Sequence, residues 1–263
     1  MEKIKKPKVL RVVISTNRTE YLIKTFESCN KNIDYEGLDM YHLLIDDWPK
    51  DRNNKEFIKF VLDHGFDEVI LNRKNKGIAS QWDKIFEIGK DFDYIFMHED
   101  DVLIRHPFTL NHLVTLLEKD SHLSQVQLKR SKWYHHEEVV GPKKLDWTFG
   151  NFTYEKFGAT PHFWGMMSIW PSSVCKENII EETGYRLGEN VIGWYIKNKY
   201  GKETALLKTS EGKPMIDHIG EYTRGKRMEK GQPGWKEGIH DKLEDGDYYS
   251  KAHTMKYTKN LSK

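Results

Sequence analysis

The sequence predicts an α/β protein with a mostly parallel, doubly wound sheet, helices on both faces and a C-terminal extension. Two observations support this fold class. Short apolar runs rich in β-branched residues alternate with segments of helical periodicity, and short connections join them. In addition, a polar cluster follows each of the first four apolar runs. Because ligands bind at the carboxyl ends of the strands in such sheets, these clusters indicate a single binding site.

The first strand is predicted at residues 9–15, where the run Val-Leu-Arg-Val-Val-Ile-Ser suits a buried strand. Apolar residues recur at helical spacing after Thr19, a residue type that favours a helix start. Further strands are predicted at 41–45, 68–72, 94–98 and 124–128, and further helices at 57–65, 78–89 and 107–117. Later segments predict a strand within 160–171, an amphipathic helix from Glu189 to about Gly201 and a short strand at 203–207.

Three consecutive carboxylates, Glu99, Asp100 and Asp101, follow the fourth strand. Adjacent acids repel each other, and removing them from water is costly unless a cation or hydrogen-bond donors compensate. A hard divalent ion such as Mg²⁺ or Mn²⁺ would do so through oxygen ligands. The alternative is a solvated acidic turn.

Composition and motifs exclude several classes of protein. The chain has 263 residues, of which 38% are hydrophobic and 31% charged, so it can bury a core and is not disordered. It contains neither an apolar run long enough to span a membrane nor a glycine-rich phosphate loop after the first strand. The start lacks a secretory apolar segment and the two cysteines make no disulfide framework, so we expect a cytoplasmic protein.

The alternation weakens after residue 128. Residues 129–151 form a polar, basic and aromatic stretch that contains the adjacent His135 and His136, for which a metal role is an alternative to a surface role. Residues 223–263 carry ten Lys or Arg against six Asp or Glu, with interleaved aromatics, which suits either phosphate contacts or a solvated tail. We therefore divide the chain into one domain over 1–222, with halves 1–128 and 129–222, and an extension over 223–263.

Over residues 9–220 the chain resembles the family 2 glycosyltransferases of GT-A fold. The opening strand and loop with Asn17 and Arg18, the acidic end of the second strand, and Asn72 with the Lys76-Gly77-Ile78-Ala79 segment are similar to motifs of that family. The three carboxylates take the place of its D-x-D motif, although Trp82-Asp83 stand where Arg-Asn is usual.

The resemblance implies a role for each matching residue. Asp101 and His218 would bind Mn²⁺ or Mg²⁺, and Glu189 would be the catalytic base. The implied acceptor-binding residues are Trp164, Trp170 and Trp194, for which core packing is the alternative. The implied nucleotide-sugar-binding residues are Thr16, Asn17, Arg18, Glu20, Asp47, Asn72, Lys76, Gly77, Glu99 and Asp100, with Asp47 placed at the uracil.

The implied reaction is inverting transfer of a sugar, such as a hexose or pentose, from a nucleoside diphosphate donor to an acceptor hydroxyl. The expected donor is a UDP-sugar. The acceptor is either a saccharide or a hydroxylated base in DNA, and duplex DNA would require groove access or base flipping. Two alternatives from other classes are a non-catalytic binder of nucleotide sugars or nucleic acid, which would not need Glu189, and a nucleotidyltransferase.

Overall fold

A computed structural model of the chain describes residues 5–16, 18–47, 54–72, 76–131, 143–149, 152–156 and 165–219. The predictions for Asn17 and Trp164, for His135 and His136, and for the extension 223–263 lie outside these residues.

Thirteen strands and six α-helices lie within the described ranges. The strands are β1 Lys8–Ser15, β2 Ile33–Asp34, β3 Asp39–Asp46, β4 Glu68–Leu71, β5 Tyr94–Glu99, β6 Val102–Ile104, β7 Phe108–Thr109, β8 Leu123–Leu128, β9 Lys143–Phe149, β10 Phe152–Lys156, β11 Met167–Pro171, β12 Glu203–Thr209 and β13 Ile216–His218. The helices are α1 Thr19–Asn32, α2 Lys55–His64, α3 Ile78–Gly89, α4 Leu110–Lys119, α5 Ile179–Thr183 and α6 Glu189–Tyr200.

The main sheet orders its nine described strands as β4-β3-β1-β5-β11-β8-β12-β10-β9. Strands β4, β3, β1 and β5 pair in parallel, as do β8 and β12. Strands β11 and β10 run antiparallel to both of their neighbours, so seven of the nine strands share one direction. The predicted mostly parallel α/β sheet is confirmed.

Apolar side chains cover both faces of the sheet. On β1, Leu10, Val12 and Ile14 pack into the core cluster that includes α3 and α6. The alternate residues Val9 and Val13 join clusters with α1, α2 and α4 on the opposite face. Because successive strand residues point to opposite faces, burial on both sides requires the continuous apolar run seen in the sequence.

Two small pairings lie beside the main sheet. Strand β13 pairs antiparallel with β6, so that His218 is opposite Val102, and β2 pairs in parallel with β7. Because Phe108–Thr109 is extended in the second pairing, α4 begins at Leu110, which corrects the helix start predicted at residue 107. None of the helices in the described residues has the length and apolar character needed to cross a membrane.

Candidate functional site

The parallel register brings the predicted polar clusters to one edge of the sheet. Ser15 at the end of β1 pairs with Asp46 on β3, and Ile14 pairs with Glu99 at the end of β5. The turns that follow these three strands therefore lie side by side. The acidic residues of β5 face the β1–α1 connection.

Asp100 ties these two segments together. Its side chain is fully buried and accepts hydrogen bonds from Ser15 Oγ at 2.8 Å, from the Thr16 amide at 3.4 Å and from the Arg18 guanidinium. Thr25 Oγ1 of α1 donates to the Asp100 carbonyl at 2.8 Å. Burial raises the pKa of Asp100 to about 6, against the opposing effect of Arg18. Because all of these partners belong to the protein, Asp100 holds the end of β1 and the start of α1 against the turn that follows β5.

Asp101, His218 and Glu99 form a cluster that could hold a metal ion. One ligand atom from each lies within 4.8 Å of the others, and His218 arrives through the pairing of β13 with β6. His218 Nε2 lies 3.1 Å from Asp101 Oδ1 and 4.0 Å from Glu99 Oε2. The amide of Ile219 donates to the Asp101 carbonyl at 2.8 Å, which holds the two strands in place.

Asp101 is held from one side. Arg18 Nη1 is 2.6 Å from Asp101 Oδ2, whereas Oδ1 is buried and accepts no hydrogen bond from the described residues. Burial acts to raise the pKa of Asp101, but the neighbouring His218 and Arg18 outweigh it and lower that pKa below its ordinary value. The carboxylate is therefore ionised, and its Oδ1 lies 3.1 Å from His218 Nε2, where a hydrogen bond forms only if that nitrogen carries a proton.

This donor set fits a divalent cation. Among the described residues of this cluster, three carboxylates and the Arg18 guanidinium leave two net negative charges when His218 is neutral. Carboxylate oxygens suit Mg²⁺ and Mn²⁺, and an imidazole nitrogen completes a mixed oxygen and nitrogen set. A buried, ionised oxygen without a donor is costly, and a cation would remove that cost.

Glu189 reaches the same edge from the other half of the chain. It is the first residue of α6, as predicted, and its Oε1 accepts a hydrogen bond from the Gly165 amide at 2.6 Å. The next residue, Met166, accepts a hydrogen bond from the Glu99 amide at 2.9 Å. A Cβ on Gly165 would lie 2.8 Å from Met97 Cε and 3.0 Å from Trp82 Cζ2, so these side chains would have to shift to admit it. Backbone contacts thus connect Glu189 to the carboxylate cluster.

We compared the sequence and the structure with those of known proteins. No protein-family model and no curated protein sequence matches the chain. Among solved structures, it is similar to a mannosyltransferase from Pyrobaculum calidifontis, solved with GDP-Man and Mn²⁺, at a TM-score of 0.53 and 12% identity over 77% of this chain and 57% of that one. It is also similar to GalNAc-T7, solved with UDP, GalNAc and Mn²⁺, at 0.53 and 15% over 82% and 44%. The chain has a GT-A fold.

The chain thus spans about half the length of the solved structures that it matches. At these identities the likeness concerns the fold. The roles of individual residues in this GT-A fold must be argued from their own contacts.

Asp47 has such contacts. Its buried carboxylate accepts hydrogen bonds from Asn72 Nδ2 at 2.8 Å and from the amides of Lys76 and Gly77 at 3.0 and 2.6 Å. Both oxygens are used, and the amides precede α3, where a negative charge is favourable. Gly77 has φ of 81°, a conformation that favours glycine. Asp47 holds Asn72 and the Lys76 and Gly77 amides in place; contact with a nucleobase stays a prediction.

Two predicted site residues have other contacts in the structure. Glu20 is 77% exposed and forms an ion pair with Lys24 at 2.5 Å, and its donor-binding role stays a prediction. Trp170 is fully buried and packs against Trp82 with ring centroids 5.8 Å apart. Its ring offers no surface to an acceptor here, as the core alternative requires. Trp194 is half-buried on α6.

The structure adds residues that sequence reasoning did not select. Ser15 and Thr25 hold Asp100, and Gly165 holds Glu189. Arg11 and His98 form a buried pair behind the carboxylates. A signal for the last pair is present in the sequence, because an arginine and a histidine interrupt otherwise apolar strand runs.

Proposed function

We propose that this chain is a metal-dependent glycosyltransferase that moves a sugar from a nucleoside diphosphate donor, with UDP-sugar as the first candidate, to an acceptor hydroxyl. The observation that supports it best is the Glu99, Asp101 and His218 cluster, whose buried Asp101 Oδ1 has no hydrogen bond from the described residues. This cluster lies at the edge where open α/β sheets bind ligands.

Asp101 and His218 would hold Mn²⁺ or Mg²⁺, with Glu99 contributing to the ion or to the ribose. The bound ion supplies Lewis-acid neutralisation of the charge that develops on the departing diphosphate. Arg18 keeps Asp100 and Asp101 ionised beside each other without the ion, and Asp100 holds Arg18 and the β1–α1 connection in register. These contacts would fix the carboxylates that bind the cation and, through it, the diphosphate.

Glu189 is the proposed general base. Its carboxylate is held at Oε1 by the Gly165 amide, next to the strand that leads to Glu99. Removal of the acceptor's hydroxyl proton by a base fixed on the protein agrees with inversion at the anomeric carbon. The acceptor is proposed as a saccharide or a hydroxylated base in DNA.

The test measures sugar transfer and donor hydrolysis with UDP-sugars and GDP-mannose, with and without Mn²⁺. The donor panel follows the ligands of the two solved neighbours, one holding GDP-Man and the other UDP with GalNAc. We expect Glu189→Gln to lower kcat by about 100-fold or more while Mn²⁺ and donor binding stay at wild-type values.

Glu181→Gln is the matched control, since Glu181 is an exposed glutamate on the preceding helix α5 and should leave kcat unchanged. Wild-type turnover in Glu189→Gln would reject Glu189 as the base. Metal-dependent donor binding by the wild type without transfer or hydrolysis of any donor would instead indicate the non-catalytic binder.

A further inference from the structure

Arg11 is a buried cation with an unusual set of partners. It lies on β1 with no exposed surface, and none of the ion pairs among the described residues includes it. Its Nη1 donates to Asn30 Oδ1 at 3.0 Å, and its guanidinium lies 4.2 Å from the ring centroid of Phe26 and 5.4 Å from that of Tyr35. Aromatic faces offset part of the desolvation cost. A polar residue at such a position requires a further reason.

Arg11 also contacts His98 on β5. Arg11 Nε donates to His98 Nε2 at 3.2 Å, and His98 Nδ1 is 3.2 Å from the Glu99 carbonyl oxygen. An arginine N–H can only donate, so His98 Nε2 accepts and the single ring proton sits on Nδ1. His98 Nδ1 therefore donates to the Glu99 carbonyl. Arg11 thus selects the histidine tautomer that can reach the acidic turn.

Of the three candidate ligands, Glu99 is the most exposed, so its orientation depends most on contacts of its backbone. Its side chain is 25% exposed, whereas those of Asp101 and His218 are 0% and 3% exposed, and its Oε2 lies 4.0 Å from His218 Nε2. Its amide donates to Met166 O, so the His98 contact fixes the other half of the Glu99 backbone. The direction of the Glu99 side chain, and the path of the chain into Asp100 and Asp101, follow from these two backbone contacts.

We propose that Arg11 and His98 are positioning residues for the cation site: Arg11 holds His98 with its proton on Nδ1, and His98 holds the Glu99 carbonyl so that the carboxylate faces His218. The proposal rests on the proposed function, because it requires a cation at Glu99, Asp101 and His218. An ordinary core position would be filled by apolar residues at lower desolvation cost. Here the buried hydrogen bonds run from Arg11 through His98 to Glu99, the first residue of the acidic turn.

The test compares two amides at residue 98 by Mn²⁺ titration of the purified full chain, monitored by calorimetry. In His98→Asn the side-chain NH₂ takes the place of Nδ1 and keeps the donor to Glu99, so Mn²⁺ affinity should stay within about threefold of wild type. In His98→Gln the amide reaches the Nε2 position and the donor is lost, so affinity should fall about 10- to 100-fold, the usual effect of losing a group that orients a ligand.

His42→Gln is the control, because His42 lies opposite Arg11 on β3 and does not contact Glu99. It should leave Mn²⁺ affinity unchanged. A folded His98→Gln protein that binds Mn²⁺ like the wild type overturns the proposal even if its melting temperature has dropped, since that outcome shows a structural role alone. Absence of Mn²⁺ binding by the wild type rejects the proposed function together with this inference.

The tautomer can be measured in the wild-type protein, without a variant that must fold. Imidazole ¹⁵N chemical shifts should show His98 protonated on Nδ1, and Arg11→Leu should shift the population toward the Nε2-protonated form. A wild-type His98 protonated on Nε2 overturns the proposal.

Discussion

Asp47 and Asp101 occupy equivalent places in the fold but differ in how their oxygens are used. Asp47 follows β3 and Asp101 follows β5, the two strands that flank β1 in the sheet, and the two residues are 1% and 0% exposed. Both carboxylates face the edge where the parallel strands end. By burial and position alone they would receive the same role.

Their hydrogen bonds separate them. Both oxygens of Asp47 accept from Asn72 and from the backbone before α3, so the folded chain supplies all of its donors. Asp101 has Arg18 at one oxygen, while the other faces His218 without a hydrogen bond from the described residues. A buried polar atom without a donor calls for an explanation, and a role as a cation ligand is one. Asp47, the structural acid, and Asp101, the candidate ligand, are therefore distinguished by their hydrogen bonds and not by their burial.

The largest expected effect is that of Asp101→Asn. We expect Mn²⁺ binding to be lost and donor turnover to fall on the order of 10³-fold, because a ligand of the charge-neutralising ion is removed. Calorimetric titration with Mn²⁺ and initial rates measure both quantities. Without metal, the variant loses the Arg18 ion pair but also the repulsion with Asp100, so we expect the free energy of unfolding to fall less than in Asp47→Asn. The exposed Asp91→Asn is the control. Wild-type Mn²⁺ affinity in Asp101→Asn would contradict the distinction.

Asp47→Asn should produce the reverse pattern. Whichever way the amide is turned, its NH₂ group faces a donor, and the negative charge before α3 is lost. We expect the free energy of unfolding to fall by about 2 kcal/mol, measured by urea denaturation, with Mn²⁺ affinity unchanged. Unaltered stability combined with weaker Mn²⁺ binding would mean that the two aspartates have exchanged their assigned roles.

A further effect concerns the dependence of stability on pH, to which His42 contributes. Burial, aided by the Arg11 charge, lowers the pKa of His42 from 6.5 to about 4. The unfolded chain therefore binds a proton between these pH values that the folded chain does not. Stability from neutral His42 is present above pH 6.5 and lost as pH falls toward 4. Urea denaturation of His42→Gln should show a shallower loss over this range, whereas the exposed His122→Gln should match the wild type.

Much of the fold could be predicted from local patterns. Helix α3 has the predicted bounds, α6 begins at Glu189, and the strands from β1 to β5 in the parallel part match the predicted apolar runs within a few residues. The start of α4 was missed because a two-residue strand pairing with Ile33–Asp34 extends the chain there. Such a pairing has no local periodicity that could reveal it.

The sequence by itself determined the alternation of strands and helices and the position of carboxylates at the ends of strands. The reason is that the periodicity of apolar residues shows which faces of a strand or helix are buried. Only the tertiary structure decided which of these carboxylates the protein satisfies. It placed Trp170 in the core, tied Asp47 to α3, and brought His218 to Asp101 through the pairing of β13 with β6. The physical reason is that a hydrogen-bond partner is chosen through space, while periodicity records only whether a residue is buried.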